Sequence, residues 1–234
     1  MKNILFDLYG TLIDVRTDEE SGAFWQEVSK LLLHMKERGG ELKERYASLC
    51  FLQKEKLPPL AEIDLLAVFR ALLRECGLPD SRAEEFAVQF RKLSLRRCRP
   101  FRGAKKLLAE LRARGAGVYL LSNAQACFTR AEISACGLTP YFNGVLLSSE
   151  AGWKKPSPQF FEAAFSRFSL APEHCLYVGN DLRDDVGGAH GVGMKCVYIH
   201  TKQSGKYDDA PEPDLIAENH KNLLQILTKE CVDA

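Results

Sequence analysis

The chain has 234 residues, of which 46% are hydrophobic and 27% are charged, with a formal net charge of +1. This composition provides enough apolar material for a buried core, and it offers no long-range field that would favour nucleic acid or an anionic membrane as a partner. No apolar run approaches the roughly 20 residues of a membrane span and the start of the chain lacks a signal-peptide pattern, so we expect a cytoplasmic protein with reduced cysteines.

The first part of the chain combines one short strand with a long helical block. The β-favouring run Asn3–Phe6 ends at Asp7. Over residues 18–99 the apolar side chains recur at the spacing of amphipathic helices, and four helices with no strand-like run between them are predicted. We therefore expect an inserted all-helical cap over residues 16–99, with the catalytic core formed by residues 1–15 and 100–234.

Beyond Pro100 the predicted strands and helices alternate. Strands are predicted over residues 117–121, 144–147, 175–178 and 194–199, and helices over residues 103–114, 158–168, 184–191 and 219–229. The polar segment 201–213, which contains Gly and Pro, is predicted to be a loop. Alternation of this kind predicts an α/β fold built on a doubly wound parallel sheet.

Polar side chains follow the predicted strands at the ends where ligands bind in such sheets. These residues are Asp7 after the first strand, Ser122 and Asn123 after the second, Lys155 after the third, and Asn180 and Asp181 after the fourth. Together they offer a carboxylate, neutral hydrogen-bond donors, a cation and an acidic cluster. This combination suits an anionic small-molecule substrate and a nucleophilic carboxylate.

The acidic loop after the fourth strand indicates a metal ion. Asp181 and Asp185 stand four residues apart at the entry to a predicted helix and offer the hard oxygen ligands that Mg²⁺ prefers. A carboxylate that attacks a phosphoryl group meets like charge, so Lys155 and a divalent cation are needed to offset the repulsion. We therefore expect Mg²⁺ as the cofactor, and the sequence allows a monomer or a homodimer.

Four segments resemble, in order, the motifs of the haloacid dehalogenase superfamily of hydrolases. They are Phe6-Asp7-Leu8-Tyr9-Gly10-Thr11-Leu12, Leu121-Ser122-Asn123, Lys155-Pro156-Ser157-Pro158 and Asn180-Asp181-Leu182-Arg183-Asp184-Asp185-Val186. The resemblance covers nearly the whole chain, and the helical insert is similar to the C1 cap of this superfamily, which closes on the core and selects the substrate.

The resemblance implies a role for each matching residue. Asp7 is the implied nucleophile, Thr11 and Ser122 are partners of the transferring group or of the nucleophile's loop, and Lys155 steadies both Asp7 and the anion. The implied metal ligands are Asp7, the backbone carbonyl of Tyr9 and Asp181, with Asp185 acting indirectly or through water. Aligning on Gly179 instead puts Asn180 at the family's usual Asp, but Asp185-Val186 and the following helix favour Asp181.

Tyr9 departs from the phosphatases of the superfamily, which usually carry a second Asp at this position as general acid and base. A phenol with a pKa of ~10 is a poor base at neutral pH, although it can donate a proton. General acid–base help is worth about 10²–10⁴ in rate, so an ordinary phosphatase with Tyr9 is expected to be slow.

The pattern Asp-x-Tyr-Gly-Thr is similar to that of the haloacid dehalogenases themselves. Arg38 lies near the position at which those enzymes hold an arginine for the substrate carboxylate and halide. The acidic fourth motif does not fit them, and Phe161 stands where they tend to have tyrosine. The favoured hypothesis is a Mg²⁺-dependent phosphatase acting on a small phosphorylated metabolite. The alternatives are a 2-haloacid dehalogenase-type carbon–halogen hydrolase and a weakly active relative with a binding or regulatory role.

Overall fold

The computed structural model describes residues 3–32 and 39–232. The strands are β1 (Asn3–Phe6), β2 (Ile13–Thr17), β3 (Leu95–Pro100), β4 (Gly117–Ser122), β5 (Gly144–Leu147), β6 (Cys175–Gly179), β7 (Lys195–Ile199) and β8 (Leu215–Ala217). The helices are α1 (Gly22–Leu31), α2 (Gly39–Lys54), α3 (Leu65–Glu75), α4 (Ala83–Ser94), α5 (Ala104–Ala113), α6 (Ala126–Ala135), α7 (Ser148–Ala151), α8 (Pro158–Phe168), α9 (Gly188–Gly191) and α10 (His220–Val232).

Six strands form one parallel sheet in the order β5-β4-β1-β6-β7-β8. Helices α5, α6 and α10 pack on one face of the sheet, and α8 and α9 pack on the other. The prediction of a doubly wound α/β fold is confirmed. Since β1 lies between β4 and β6, the order of strands along the chain reverses at β1, which puts its carboxyl end at the switch point where such folds bind ligands.

Burial on both faces explains why the central strands are almost wholly apolar. Ile4 and Phe6 of β1 pack on the face of the sheet that α5, α6 and α10 cover, whereas Leu5 packs on the face that α8 and α9 cover. The Asp7 amide still donates to the carbonyl of Val178 at 2.9 Å, so the strand pairing continues up to the carboxylate. Asp7 is therefore positioned by a strand that is paired on both sides.

The four helices α1 to α4 lie between β2 and β3 and form a core of their own. Its centre is a group of aromatic rings, with the Phe24 and Phe69 centroids 5.0 and 5.1 Å from that of Phe90, and the Trp25 centroid 5.4 Å from that of Tyr46. Within the described residues, no helix is both long and apolar enough to cross a membrane.

The prediction that no strand interrupts residues 18–99 is wrong, because β3 begins at Leu95 and pairs antiparallel with β2. We call these two strands the hinge ribbon, since they carry the chain into and out of the helical insert. The sequence of β3, Leu-Arg-Arg-Cys-Arg-Pro, lacks an apolar face, because the ribbon is partly exposed. Buried Asp14 binds two of the neighbouring cations, Arg97 at 3.3 Å and Lys202 at 2.8 Å.

The short edge strand β8 also went unpredicted. It has only three residues, and Ile216 at its centre is 60% exposed, so it has neither the length nor the burial pattern that marks a strand in sequence.

Candidate active site

A buried ion cluster lies beyond the carboxyl end of β1. The Lys155 ammonium donates to Asp7 Oδ1 at 2.7 Å and to Asp185 Oδ1 at 2.6 Å, and only 3% of Lys155 is exposed. Burial alone would lower the pKa of Lys155, but Asp185 and Asp7 raise it well above its ordinary value. The lysine is therefore a fixed positive charge held between two carboxylates.

Asn123 holds the loop that carries this lysine. Its side-chain oxygen accepts from the Lys155 amide at 2.7 Å, and its side-chain nitrogen donates to the Lys155 carbonyl at 3.1 Å. The same nitrogen lies 3.1 Å from Asp184 Oδ2. Asn123 thus joins the end of β4 to the lysine loop and to the acidic loop, and its expected service as a hydrogen-bond donor to an anionic substrate stays a prediction.

Ser122 and Thr11 occupy different parts of the site. The Ser122 hydroxyl donates to Asp7 Oδ1 at 3.3 Å, whereas the Thr11 hydroxyl donates to Asn180 Oδ1 at 3.0 Å. Gly10, next to Thr11, has φ at +87°, and a Cβ on it would be 2.6 Å from the Asn180 side-chain amide. Only glycine fits there, because Asn180 packs directly against the loop that follows Asp7.

The Asp181 side chain contacts the turn that follows it and the segment 201–213. Its Oδ1 accepts the backbone amides of Arg183 at 2.9 Å and Asp184 at 2.8 Å, which caps the π-helical turn Leu182–Gly187. Its Oδ2 accepts a hydrogen bond from the Tyr207 hydroxyl. Of the two candidates for the family's acidic position, Asn180 is therefore the one that contacts the first motif.

Asp185 is engaged on both oxygens. Its Oδ1 accepts from Lys155, and its Oδ2 accepts from the Asp181 amide at 2.9 Å. Burial raises the pKa of Asp185, the charge of Asp7 adds to the shift, and Lys155 opposes it. These contacts suit a residue that orients the lysine and the acidic loop.

Tyr9 turns towards the junction between the insert and the core. Its hydroxyl donates to Glu132 Oε2 at 2.5 Å and lies 3.0 Å from Thr129 Oγ1. Arg91 of the insert binds the same glutamate at 2.6 Å, with its guanidinium 5.9 Å from the Tyr9 ring centroid. Burial and the negative charge of Glu132 raise the pKa of Tyr9 above its ordinary value. The phenol proton is therefore directed at Glu132 and not at Asp7.

Tyr177, which the sequence analysis missed, belongs to the buried cluster. Its hydroxyl donates to the Leu121 carbonyl at 3.1 Å and lies 2.9 Å from Lys155 Nζ. The Tyr177 hydroxyl completes a set of three oxygens around the ammonium. The centroid of the Phe161 ring lies 5.6 Å from that of the Tyr177 ring. A tyrosine inside a strand that is otherwise apolar was the only sequence signal, because a buried hydroxyl needs a partner.

Replacing Tyr177 with Phe should lower the free energy of unfolding by about 1–3 kcal/mol, because the Leu121 carbonyl and the lysine each lose a buried partner. Urea denaturation measures this difference. Tyr119→Phe on β4 is the matched control, and a change within ~0.5 kcal/mol is expected for this half-buried side chain. Equal effects of the two substitutions would contradict the role given to Tyr177.

The acidic loop has a composition that fits a divalent cation. Asp185 shares Lys155 with Asp7, Asp184 contacts Asn123, and Lys155 is the only buried cation among the described residues. Burial raises the pKa of Asp184, and the negative charge of Asp181 adds to it. Hard oxygens with excess negative charge suit Mg²⁺. The described side chains include no cluster of three His, Cys, Asp or Glu, so backbone oxygens or water would complete the ligand set beside one or two carboxylates.

Of the residues named from the sequence, the structure brings Asp7, Ser122, Lys155 and Asp185 into one connected cluster. Asn123 and Thr11 support its loops, while Asp181 and the Tyr9 hydroxyl face other partners. Arg38, the candidate for binding a substrate carboxylate, lies outside the described residues.

Comparison with known proteins relates this site to a family. A family model described as haloacid dehalogenase-like hydrolase matches residues 1–193. The phosphoserine phosphatase of Thermus thermophilus is 37% identical over 150 residues, which cover 63% of this chain and 59% of that enzyme. The N-acylneuraminate-9-phosphatase of Mus musculus is 26% identical over 237 residues, which cover 97% of this chain and 94% of that enzyme.

Solved structures share the fold at low sequence identity. A HAD phosphatase from Thermococcus onnurineus has a TM-score of 0.64 and 23% identity, with coverage of 97% of this chain and 98% of the other. A 2-haloacid dehalogenase from Pseudomonas syringae pv. Tomato has a TM-score of 0.69 and 20% identity, with coverage of 98% and 99%. Since both activities occur on this fold, the structural likeness shows the fold alone.

Proposed function

Because the chain belongs to the haloacid dehalogenase-like hydrolases, we propose that it is a Mg²⁺-dependent phosphatase with Asp7 as its nucleophile. The substrate class is a small phosphorylated metabolite. The observation that carries the proposal is the buried cluster of Asp7, Lys155 and Asp185 at the end of the central strand. Phosphatase relatives such as the Thermus enzyme support it, although that match spans only 59% of the relative's length.

The proposed reaction has two steps at phosphorus. The Asp7 carboxylate attacks the phosphoryl group, the ester oxygen leaves with its electron pair, and an aspartyl phosphate forms. Water then attacks the phosphorus, phosphate leaves, and the Asp7 carboxylate is regenerated. Lys155 binds the Asp7 carboxylate and attracts the anion, and Ser122 orients the attacking carboxylate through its hydroxyl.

When bound, Mg²⁺ supplies positive charge that offsets the repulsion between the carboxylate and the phosphoryl oxygens. Asp7, the Tyr9 carbonyl and Asp181 are the residues proposed to hold it. Asp185, whose oxygens bind Lys155 and the Asp181 amide, is proposed to act indirectly.

The helical insert over residues 16–99 is proposed to act as a C1 cap on the core formed by residues 1–15 and 100–234. Its segment 60–65 lies against the core beside the lysine loop, where the Lys154 amide donates to the Leu60 carbonyl at 3.0 Å. Glu62 accepts from the Ser148 hydroxyl at 2.7 Å. A segment in this place would exclude water from the site and contact the substrate's leaving group.

The metal assignment predicts opposite effects for two substitutions. Asp181→Asn should weaken Mg²⁺ binding by at least about tenfold, because it removes a charged ligand. Tyr207→Phe should strengthen binding, because the Tyr207 hydroxyl competes for Asp181 Oδ2. The rise in melting temperature on Mg²⁺ titration measures both. If neither variant shifts the titration while Asn180→Asp tightens it, the metal position is 180 and the assignment to Asp181 is wrong.

Tyr9 is expected to contribute little to proton transfer, since its proton is directed at Glu132. Tyr9→Phe should therefore change kcat for an aryl phosphate by less than ~10-fold, well below a full general-acid effect. The wild-type protein should also turn over aryl phosphates much faster than alkyl phosphates, whose leaving groups need a proton. A loss of about 10² or more in the variant, confined to alkyl substrates, would identify Tyr9 as the acid after all.

The dehalogenase alternative rests on Tyr9, and one assay separates the two chemistries. Purified protein is incubated with phosphate monoesters or 2-chloropropionate, each with Mg²⁺ and with EDTA, and released phosphate and chloride are measured. Phosphate release that needs Mg²⁺ is the expected result. Chloride release indifferent to EDTA would replace the proposal with carbon–halogen hydrolysis. Full biological activity of Asp7→Asn would point instead to a binding or regulatory role.

A further inference from the structure

Two cysteines far apart in sequence meet at the junction of the hinge ribbon and the core. Cys98 lies on β3, and Cys136 follows α6, 38 positions later in the chain. Their sulfur atoms are 3.7 Å apart. A disulfide has an S–S distance of about 2.05 Å, so the pair would need to close by roughly 1.7 Å.

The two thiols have different surroundings. Cys136 is 5% exposed and packs in the core, while Cys98 is half-buried. Hydrogen bonding with Cys98 lowers the pKa of Cys136 and Lys105 adds to the lowering, whereas burial and the charge of Glu132 oppose it. Because reactive cysteines are partly exposed, an oxidant reaches the pair from the side of Cys98.

We propose that Cys98 and Cys136 form a redox modification site, at which a hydroperoxide produces an intramolecular disulfide between the hinge ribbon and α6. One of the two thiols, as its thiolate, attacks a peroxide oxygen, the O–O bond breaks, and a sulfenic acid forms while water or an alcohol leaves. The second sulfur then attacks the sulfenic sulfur, and the hydroxyl leaves as water with the proton of the second thiol. Two thiols are oxidised by two electrons, and one peroxide is reduced.

A disulfide at this position would restrain the hinge ribbon. β3 is the strand by which the chain leaves the helical insert, and Cys98 pairs with Val15 in the hinge ribbon. α6 carries Glu132, which binds Arg91 of the insert. A covalent bond between β3 and the end of α6 therefore fixes the hinge ribbon to the element on which the insert rests.

Peptide mapping under non-reducing conditions tests the modification directly, and it does not depend on any enzymatic activity. The full chain is titrated with hydrogen peroxide, and its thiols are counted before and after dithiothreitol. We expect two thiols lost per chain, a peptide linking Cys98 to Cys136, no covalent dimer, and complete reversal. Cys98→Ser and Cys136→Ser should each abolish that linked peptide, whereas Cys127→Ser on α6 should leave it intact.

Three results would overturn the proposal: a disulfide between other cysteines, an intermolecular disulfide, or oxidation that stops at sulfinic acid on one cysteine. Amide hydrogen exchange tests the mechanical part. Exchange across residues 13–17 and 95–100 should slow by at least several-fold in the oxidised protein and stay unchanged in peroxide-treated Cys98→Ser. Equal exchange in the reduced and oxidised proteins would show that the disulfide does not restrain the hinge ribbon.

Discussion

Replacing Asp7 with Asn should abolish phosphate release, with a loss in kcat of about 10⁴-fold or more, because the substitution removes the proposed nucleophile. The fold should survive, since the Asn side-chain oxygen still accepts from Lys155 and Ser122. Steady-state phosphate release with an aryl phosphate and Mg²⁺ measures the effect, and circular dichroism checks the fold.

The same substitution at Asp214 is the matched control for this experiment. Asp214 binds the Cys196 amide and His190, and it belongs to none of the proposed catalytic groups. Its variant should retain activity within a few-fold. If Asp7→Asn kept a substantial share of the wild-type rate, a covalent route through Asp7 would be excluded.

Lys155→Met should destabilise the protein by about 3–5 kcal/mol, since it leaves two buried carboxylates without their cation. Asp7 and Asp185 both bind this ammonium, and neither has another cationic partner in the described residues. Urea denaturation gives the free energy of unfolding. Lys154→Met in the same loop is the control and should stay within ~0.5 kcal/mol of wild type.

The loss caused by Lys155→Met should depend on pH. Burial already raises the pKa of Asp185, and removing the lysine that opposes this shift raises it further. A carboxyl with a raised pKa in the folded state stabilises the fold below its ordinary pKa and loses that contribution as pH rises through the folded pKa. The difference in the free energy of unfolding between Lys155→Met and wild type should therefore shrink towards pH ~5. Adding Asp185→Asn to the variant should recover part of this stability at neutral pH. A deficit that grows on acidification would contradict the buried-pair account.

The parallel core was predictable because its strands are buried on both faces and its helices alternate with them. The helix Pro158–Phe168 and the strand Gly144–Leu147 appear with the predicted bounds. The carboxyl ends of parallel strands share one edge of the sheet, so the proximity of Asp7, Ser122 and Lys155 was predictable from their positions after successive strands.

The parts that were not predictable depend on tertiary contacts rather than on local pattern. The hinge ribbon is polar on β3, and its pairing with β2 joins segments about 80 residues apart, as in the Arg97–Asp14 bond. The direction of the Tyr9 side chain is set by Glu132 and Arg91, which come from separate helices. In the sequence, Tyr177 cannot be told from the other residues of its strand. Its role depends on the contact of its hydroxyl with Lys155, which only the fold brings about.

Transient phosphorylation of Asp7 defines the proposed mechanism, and mass spectrometry of acid-quenched protein detects it. The protein is mixed with an aryl phosphate and Mg²⁺, quenched during steady turnover, digested, and the peptide containing Asp7 is analysed. We expect a phosphoryl group on Asp7 in the wild-type protein and in no peptide of Asp7→Asn. Steady phosphate release with Asp7 unmodified, or a phosphoryl group on another residue, would contradict it.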